Sequence, residues 1–371
     1  MKTHKDMKKV LIIPALGALL FVGCSPKGYV LEGNIPHAAD GDVVYLQANP
    51  RAVPVDSAVV TDGKFKFTSP EADGTPMYLI YSISDRANAS YAEFYQENGK
   101  LKAAMVKASE GRSIVTGTPL NDIAAEFNKG QDAIASKYSE LEESLKDAAD
   151  DAKAAIQAEA DKLDAAYDEN VAQAIEKNIT NRFGAALLLS NYYSMAPDKV
   201  TDLIGKIPQE IKEGNNSYDR IAENCAKQVA TGPGQKFTDF TLKTPEGKEV
   251  SLSDFAGKGS LVLVDFWASW CGPCIREMPN VKKAYADFNK KGFEIVGVSL
   301  DRDEQAWKDA IKKLDLPWKH MSDVKYWECE AAKLYGVNSI PATVLIGPDG
   351  TILERNLRGE KLYAKIAEIL K

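Results

Sequence analysis

Hydrophobic and polar positions fall into three regimes along the chain. From residue 28 to about 117 the apolar residues come in short runs. Tyr29-Val30-Leu31-Glu32-Gly33, Val43-Val44-Tyr45-Leu46, Ser57-Ala58-Val59-Val60 and Lys64-Phe65-Lys66-Phe67 are the clearest. Asp40-Gly41-Asp42, Thr61-Asp62-Gly63 and Ala72-Asp73-Gly74 separate them, and such residues favour chain reversal over extended structure. Lys64–Thr68 alternates with period two, so one face packs on a second sheet. The expectation for 28–117 is a β-sandwich. His37 and the scattered aromatics of this tract read as structural.

After Pro119 the period changes. Apolar residues recur at Ile123, Phe127, Ile134, Tyr138, Leu141, Leu145, Ala152, Ile156, Leu163, Tyr167, Val171 and Ile175, in steps of three, four and seven. That spacing draws a stripe along a helix rich in Ala, Glu and Lys. Neither Gly nor Pro occurs between Gly130 and Gly184. One unbroken helix would be about 90 Å long, so a bent helix or helical hairpin is expected, turning near Asp147–Asp151. A coiled-coil dimer is the alternative. Shorter helices are predicted at 184–194, 197–205 and 217–229, the whole helical region spanning 118–230. Thr231-Gly232-Pro233-Gly234 then reads as a linker.

From 235 the pattern becomes strand–helix–strand. A hairpin is predicted from Phe237–Leu242 through Pro245-Glu246-Gly247 to Glu249–Leu252. Leu261–Phe266 is a continuous apolar run of the kind buried on both faces. A helix follows from Gly272 to about Asn289, then strand Phe293–Ser299 and a helix over Glu304–Leu314. A helix over Trp327–Tyr335, strands at Thr343–Ile346 and Ile352–Asn356, and a closing helix from Glu360 complete the chain. The predicted C-terminal domain, 231–371, is a central mixed sheet covered by helices. The whole is multi-domain, as its 371 residues require.

Composition changes this picture little. The formal charge of -7 argues against nonspecific nucleic-acid binding, which needs clustered basic residues. The N-terminus is more informative. Lys8 and Lys9 precede the apolar run Val10–Val22, too short for a comfortable membrane helix but suited to a signal peptide. Phe21-Val22-Gly23-Cys24 resembles a bacterial lipobox, which implies cleavage after residue 23, lipidation of Cys24 and a tether over 24–27. Met7 is a second candidate start, and a buried helix ending in an incidental cysteine is the alternative. Ser25, rather than Asp, implies by the same resemblance an outer-membrane lipoprotein facing the periplasm. Disulfides persist in exported proteins.

The chemistry sits at the end of the apolar run, in Trp267-Ala268-Ser269-Trp270-Cys271-Gly272-Pro273-Cys274. Two thiols three positions apart, with a helix starting between them, can form and break a disulfide with little backbone movement. Only the thiolate attacks a disulfide, so the first thiol needs a lowered pKa. A helix N-terminus offers unpaired N–H groups and a positive dipole end. That contributes roughly 1–2 kcal/mol when partly buried, or about one pKa unit, and moves a thiol from about 8.5 towards about 7. Cys271 is therefore the expected attacking thiol and Cys274, one turn deeper, the resolving one. Asp265 is a charge inside an apolar strand, which is costly without a purpose.

Val264-Asp265-Phe266-Trp267-Ala268, Trp270-Cys271-Gly272-Pro273-Cys274 and Ser339-Ile340-Pro341-Ala342-Thr343 together resemble the thioredoxin fold. The hairpin, Cys274-Ile275-Arg276-Glu277-Met278-Pro279 and the extra segment around 301–326 resemble its membrane-associated ResA/TlpA branch. The β-rich tract resembles a domain of unassigned function that often precedes such domains in bacterial lipoproteins. The resemblance implies a thiol-disulfide oxidoreductase that needs no cofactor or metal. It assigns Asp265 to the buried carboxylate that deprotonates the resolving thiol, and Glu277 to a glutamate near the site, with an ordinary helix residue as the alternative. Pro341 becomes a cis-proline that exposes Ile340 for substrate pairing, with Trp270, Gly272 and Pro273 on the same substrate-facing surface. Trp267 reads as packing and Pro279 as a helix bend. The Gly-Pro pair matches thioredoxin, whose potential of about −270 mV is strongly reducing. Implied partners are disulfide-containing exported proteins, cytochrome precursors among them, a membrane electron donor if the direction is reducing, and the membrane through the lipid anchor. No nucleic-acid partner is implied, and the oligomeric state stays open.

Cys225 and Cys329 are left as free thiols, a structural bridge or a second redox pair. A thiol peroxidase would place Thr or Ser three residues before its reactive cysteine, where this chain has Ala268. A copper carrier would need histidine near the thiols, and His320 is the sole candidate in that domain. The other rival is a surface lipoprotein whose β and helical regions bind a partner, the redox site being secondary.

Overall fold

Side-chain alternation decides the N-terminal architecture. A computed structural model describes residues 27–371 apart from 83, 84, 86 and 147, so the expected signal peptide and Cys24 lie outside the described residues. Eight strands follow in order: β1 (Tyr29–Asn34), β2 (Val43–Gln47), β3 (Asp56–Val59), β4 (Lys64–Ser69), β5 (Pro76–Tyr81), β6 (Ser90–Tyr95), β7 (Gly99–Ala104) and β8 (Ile114–Thr116). They form two four-stranded sheets, ordered β4-β1-β7-β8 and β3-β2-β5-β6. In β4, Phe65 and Phe67 are buried while Lys64 and Lys66 face solvent, as the period-two pattern requires. Leu31, Phe67 and Leu101 from the first sheet join Val44, Leu79 and Phe94 from the second in one core. Gly33 lies opposite Phe65, and a Cβ there would stand 2.0 Å from the ring, so only glycine leaves room for it.

Helix α1 (Pro119–Lys146) starts against this tract. Proline fits its first position because that N–H has no helical partner anyway. Asn121, 1% exposed, does the anchoring. Its Oδ1 accepts from Tyr95 N and its Nδ2 donates to Tyr95 O and Thr118 Oγ1, each at 2.8 Å. The chain divides into two compact units, one ending at Glu143 and the other running from Ser144 to Lys371.

After the last residues of α1, the second unit carries α2 (Asp150–Asn178), α3 (Arg182–Asn191), α4 (Pro197–Lys206), α5 (Gln209–Lys212) and α6 (Ser217–Ala230). Helix α1 ends at Lys146 and α2 begins at Asp150, so the long helical tract is two helices. Asn181 caps α3 by accepting from Gly184 N at 3.0 Å. Helix α4 packs on α6, burying Val200, Leu203 and Ile204 of the one and Tyr218, Ile221 and Cys225 of the other.

The remaining elements are β9 (Thr241–Lys243), β10 (Glu249–Ser251), β11 (Leu261–Trp267), α7 (Gly272–Phe288), β12 (Phe293–Ser299), α8 (Glu304–Leu314), β13 (Lys319–Met321), α9 (Glu330–Leu334), β14 (Ala342–Ile346), β15 (Ile352–Arg355) and α10 (Gly359–Ile369). Strands β9 and β10 pair as the expected hairpin. The others make a mixed sheet in the order β13-β12-β11-β14-β15, with β11, β12 and β13 parallel and β14 and β15 antiparallel. All seven residues of β11 are buried. Strand β13 was not expected. The helix expected over Trp327–Tyr335 is shorter: a 3-10 turn at Tyr326–Glu328 gives way to extended Cys329, and α9 begins only at Glu330. Asp323 Oδ2 accepts from Glu330 N at 3.0 Å and so fixes that later start.

The residues expected as a linker are held in place. Arg355 Nη1 donates to Thr231 O at 2.9 Å and to Thr231 Oγ1 at 2.6 Å, while its Nη2 donates to Tyr335 O at 2.7 Å. Gln228 of α6 donates to Gly336 O at 2.7 Å. Helix α6 is therefore joined to the strand–helix region by polar contacts at its C-terminal end.

Replacing Asn121 by Ala strands the N–H of Tyr95 in a buried position, while Tyr95 O still accepts from Glu97 N at 2.9 Å. The expected loss is about 1–3 kcal/mol, read as an earlier urea transition in far-ultraviolet circular dichroism. A Ser90→Ala control, which strips only a bond to His37, should shift the transition less.

Candidate active site: a disulfide at a helix N-terminus

Strand β11 delivers the chain to a tight turn, and α7 starts at its far side. Cys271 stands at the N-cap of α7. Its Sγ accepts from Cys274 N at 3.2 Å, so one of the helix's unpaired N–H groups points at this sulfur. Cys271 and Cys274 are joined as a disulfide with Cα atoms 5.2 Å apart. Around the pair, Trp270, Gly272 and Pro273 are exposed, whereas Cys274 is 1% exposed. Carbonyl Ile340 O lies 3.7 Å from Cys271 Sγ. The Ile340–Pro341 peptide is cis, with Ile340 half-buried and Pro341 buried.

Asp265 occupies the middle of β11, opposite Thr343 of β14 and Gly297 of β12. It is 3% exposed and its Oδ2 has no hydrogen-bond partner among the described residues. Burial pushes its pKa up to about 7; Glu277 adds to the rise and Arg358 opposes it. Glu277, one turn past Cys274, is not a free surface residue. Its Oε1 accepts from Gly359 N at 2.6 Å and its Oε2 from Asn280 Nδ2 at 3.0 Å. Arg358 Nη2 in turn donates to Pro341 O. The start of α10 thereby ties α7 to the Ile340–Pro341 turn.

The sequence reading missed Arg358 and Asp301. Asp301 is 1% exposed just past β12. Its carboxylate accepts from Ser269 N at 3.0 Å, Ser269 Oγ at 2.5 Å and Ser299 Oγ at 2.7 Å. It thus fixes the turn between β11 and Cys271. An aspartate directly after a buried strand was the available signal. Trp267 is fully buried, as packing requires, and α7 continues as helix through Pro279.

Cys225 and Cys329 are buried free thiols, and burial raises both pKa values, that of Cys329 to about 12. Neither is poised as a thiolate. His320 is buried as well, with its pKa lowered to about 4 by loss of solvent and its Nε2 near Leu316 O at 3.2 Å.

A sulfur at a helix N-terminus, a partner sulfur one turn deeper and a cis-proline turn beside them define a thioredoxin-like dithiol site. Comparison with known proteins bears on that class. The AhpC/TSA family matches residues 233–355, and a domain of unknown function, DUF4369, matches residues 29–124. The thiol-disulfide oxidoreductase ResA of Bacillus thuringiensis subsp. konkukian is 35% identical over 138 residues, which cover 37% of this chain and 76% of that protein. ResA of Oceanobacillus iheyensis is 39% identical over 125 residues, 33% of this chain and 62% of that protein. The crystal structure of the thioredoxin domain of a thiol-disulfide oxidoreductase from Bacteroides vulgatus is 36% identical, with a TM-score of 0.36, covering 38% of this chain and 99% of that one. The chain belongs to the ResA-type thiol-disulfide oxidoreductases.

The buried carboxyl gives a test by pH. In the unfolded chain Asp265 ionises near its ordinary 3.8, but in the folded protein only near 7. Between those values the folded protein keeps a proton that the unfolded chain has released, so this group lowers stability as pH rises and levels off above about 7. Relative to the unsubstituted oxidised protein, Asp265→Asn should gain about 1–4 kcal/mol between pH 4.5 and pH 8. Urea unfolding at several pH values measures it, and a pH-independent difference would exclude titration of Asp265 in this range.

Proposed function

We propose that this protein is a lipid-anchored reductase of the cell envelope. Cys24 carries the lipid, the catalytic domain faces the periplasm from the outer membrane, and the substrates are disulfides of exported proteins, cytochrome precursors included. The observation that carries the redox half of this reading is Cys271 Sγ, which accepts a helix N-terminal N–H at 3.2 Å and lies 3.7 Å from Ile340 O.

In the reduced enzyme the Cys271 thiolate attacks one substrate sulfur. A Cys271–substrate disulfide forms, and the other substrate sulfur leaves as a thiolate and takes a proton. Ionised Asp265 accepts the proton of Cys274, with Glu277 and Arg358 setting its affinity from either side. The Cys274 thiolate then attacks Cys271 Sγ, forming the Cys271–Cys274 disulfide and releasing the second substrate thiolate. Two electrons pass from the dithiol to the substrate, and a membrane-bound dithiol donor restores the enzyme. Ile340 supplies backbone pairing beside the reacting sulfur, and Trp270, Gly272 and Pro273 form the contact surface. The Gly-Pro pair shared with thioredoxin supports the reducing direction. In the β-rich region, two sheets around one core fit a β-sandwich.

The match to the AhpC/TSA family favours a second reading, a thiol peroxidase. Ala268, buried and without a hydroxyl, stands where such an enzyme needs Ser or Thr, which weighs against it.

Insulin reduction driven by dithiothreitol should be catalysed by the full chain and fall to background in Cys271→Ser. Cys274→Ser should accumulate mixed disulfides with exported proteins in cells, and an empty trap would sink the substrate assignment. Peroxide consumption at a rate exceeding insulin reduction would favour the peroxidase. Cys24→Ala should abolish incorporation of a labelled fatty acid and release the protein from membranes.

A further inference from the structure

The exposed ring nearest the disulfide does not stand alone. Trp270, which directly precedes Cys271, is 45% exposed. Its ring centroid lies 5.1 Å from that of Tyr326 and 6.1 Å from that of Trp327. Tyr326 and Trp327, both half-buried, come from the segment between β13 and α9. The Arg302 guanidinium lies 5.5 Å from the Tyr326 ring centroid. Four side chains from three separate stretches thus make one aromatic surface adjoining the reactive sulfur.

The backbone holding these rings is fixed and in part strained. Val324 and Tyr326 have φ of 57° and 59°. Side chains seldom adopt this left-handed region, least of all a β-branched valine, and such conformations persist where surrounding contacts enforce them. Here Ser322 Oγ accepts from Val324 N at 3.0 Å and donates to Ser299 O at 2.8 Å. Asp301 joins the two sides: its carboxylate holds Ser269, next to Trp270, and its carbonyl accepts from Tyr326 N at 3.4 Å. One buried residue therefore sets both halves of the aromatic surface before any substrate arrives. A core packing role alone would not leave Trp270 nearly half exposed beside Cys271.

We propose that Trp270, Tyr326 and Trp327, with Arg302 beside them, form a preorganised recognition surface that selects disulfide polypeptides carrying a planar aromatic side chain next to the attacked cysteine. The inference rests on the dithiol-exchange reading and adds the substrate feature to which that site responds. The occupant follows from position: whatever polypeptide presents its sulfur to Cys271 must lay its neighbouring residues on these rings. Offset and edge-to-face ring contacts then favour aromatic neighbours over aliphatic ones.

The test uses the full chain, pre-reduced and mixed with excess peptide containing an internal disulfide flanked by Tyr, Leu or Ala. Acid-quenched samples give the second-order rate of peptide reduction. The Tyr peptide should react about three to ten times faster than the Ala peptide, with Leu closer to Ala. The double variant Tyr326→Leu with Trp327→Leu should lose this preference yet reduce bis(2-hydroxyethyl) disulfide, which has no ring, at the unsubstituted rate. Tyr326→Phe should retain the preference. Equal rates for all three peptides, or a double variant that keeps the preference, would overturn the proposal while leaving dithiol exchange intact. Failure of the unsubstituted chain to reduce any disulfide would remove the exchange reading itself, and the proposal with it.

Discussion

A strand buried on both faces has no natural place for a charge, and β11 carries one at its centre. Taking a carboxylate out of water is so unfavourable that Asp265 meets the constraint by holding its proton up to about pH 7. Much of the site is arranged around that single carboxyl. Glu277 on α7 and Arg358 before α10 bracket it with opposite charges, and each also has a mechanical task. Glu277 receives the first N–H of α10, and Arg358 binds the carbonyl of Pro341. The residues that shift the proton affinity of Asp265 are therefore also those that tie the helix bearing the cysteines to the turn beside them. Electrostatics and geometry cannot be altered separately here.

A second buried acid works differently. Asp301 is surrounded by donors: Ser269 N, Ser269 Oγ and Ser299 Oγ all reach its carboxylate. Its task is positional. Asp265, by contrast, is left without a partner at one oxygen, and burial raises its pKa. The two buried aspartates thus differ in kind: Asp265 is unpaired at one oxygen, and Asp301 positions the turn ahead of Cys271.

How far all this could be read from the sequence depends on the range of the interaction. Period-two alternation in Lys64–Thr68, the unbroken apolar run of β11 and the helical stripe after Pro119 are local signals, and the structure follows them. Asp265 was visible as an anomaly in its own strand, and Cys271 through its place at a helix start. What escaped depends on partners far along the chain. Strand β13 is short and, at the edge of the sheet, pairs with β12. The late start of α9 is imposed by Asp323, and Cys329 sits in the gap. Arg358 has no local mark at all, since its meaning lies in Pro341 and Asp265. The preference of Tyr326 for a left-handed backbone is equally invisible, because nothing in its neighbours demands it until Asp301 and Ser322 are in place.

The bonds of Arg355 bear on how such enzymes are assembled from parts. Its guanidinium, on the last strand, grips Thr231 at the foot of α6, and Thr231 in turn bonds back to Lys227. The AhpC/TSA match begins at residue 233, so this joint lies just outside the stretch shared with that family. A redox domain trimmed to the shared boundary would keep every residue of its chemistry yet expose a half-buried cation to water and leave the end of the sheet without its neighbour. Helix α6 ahead of the boundary therefore acts as a fitted collar on the catalytic fold, so that the redox domain is extended by packing beyond its shared sequence.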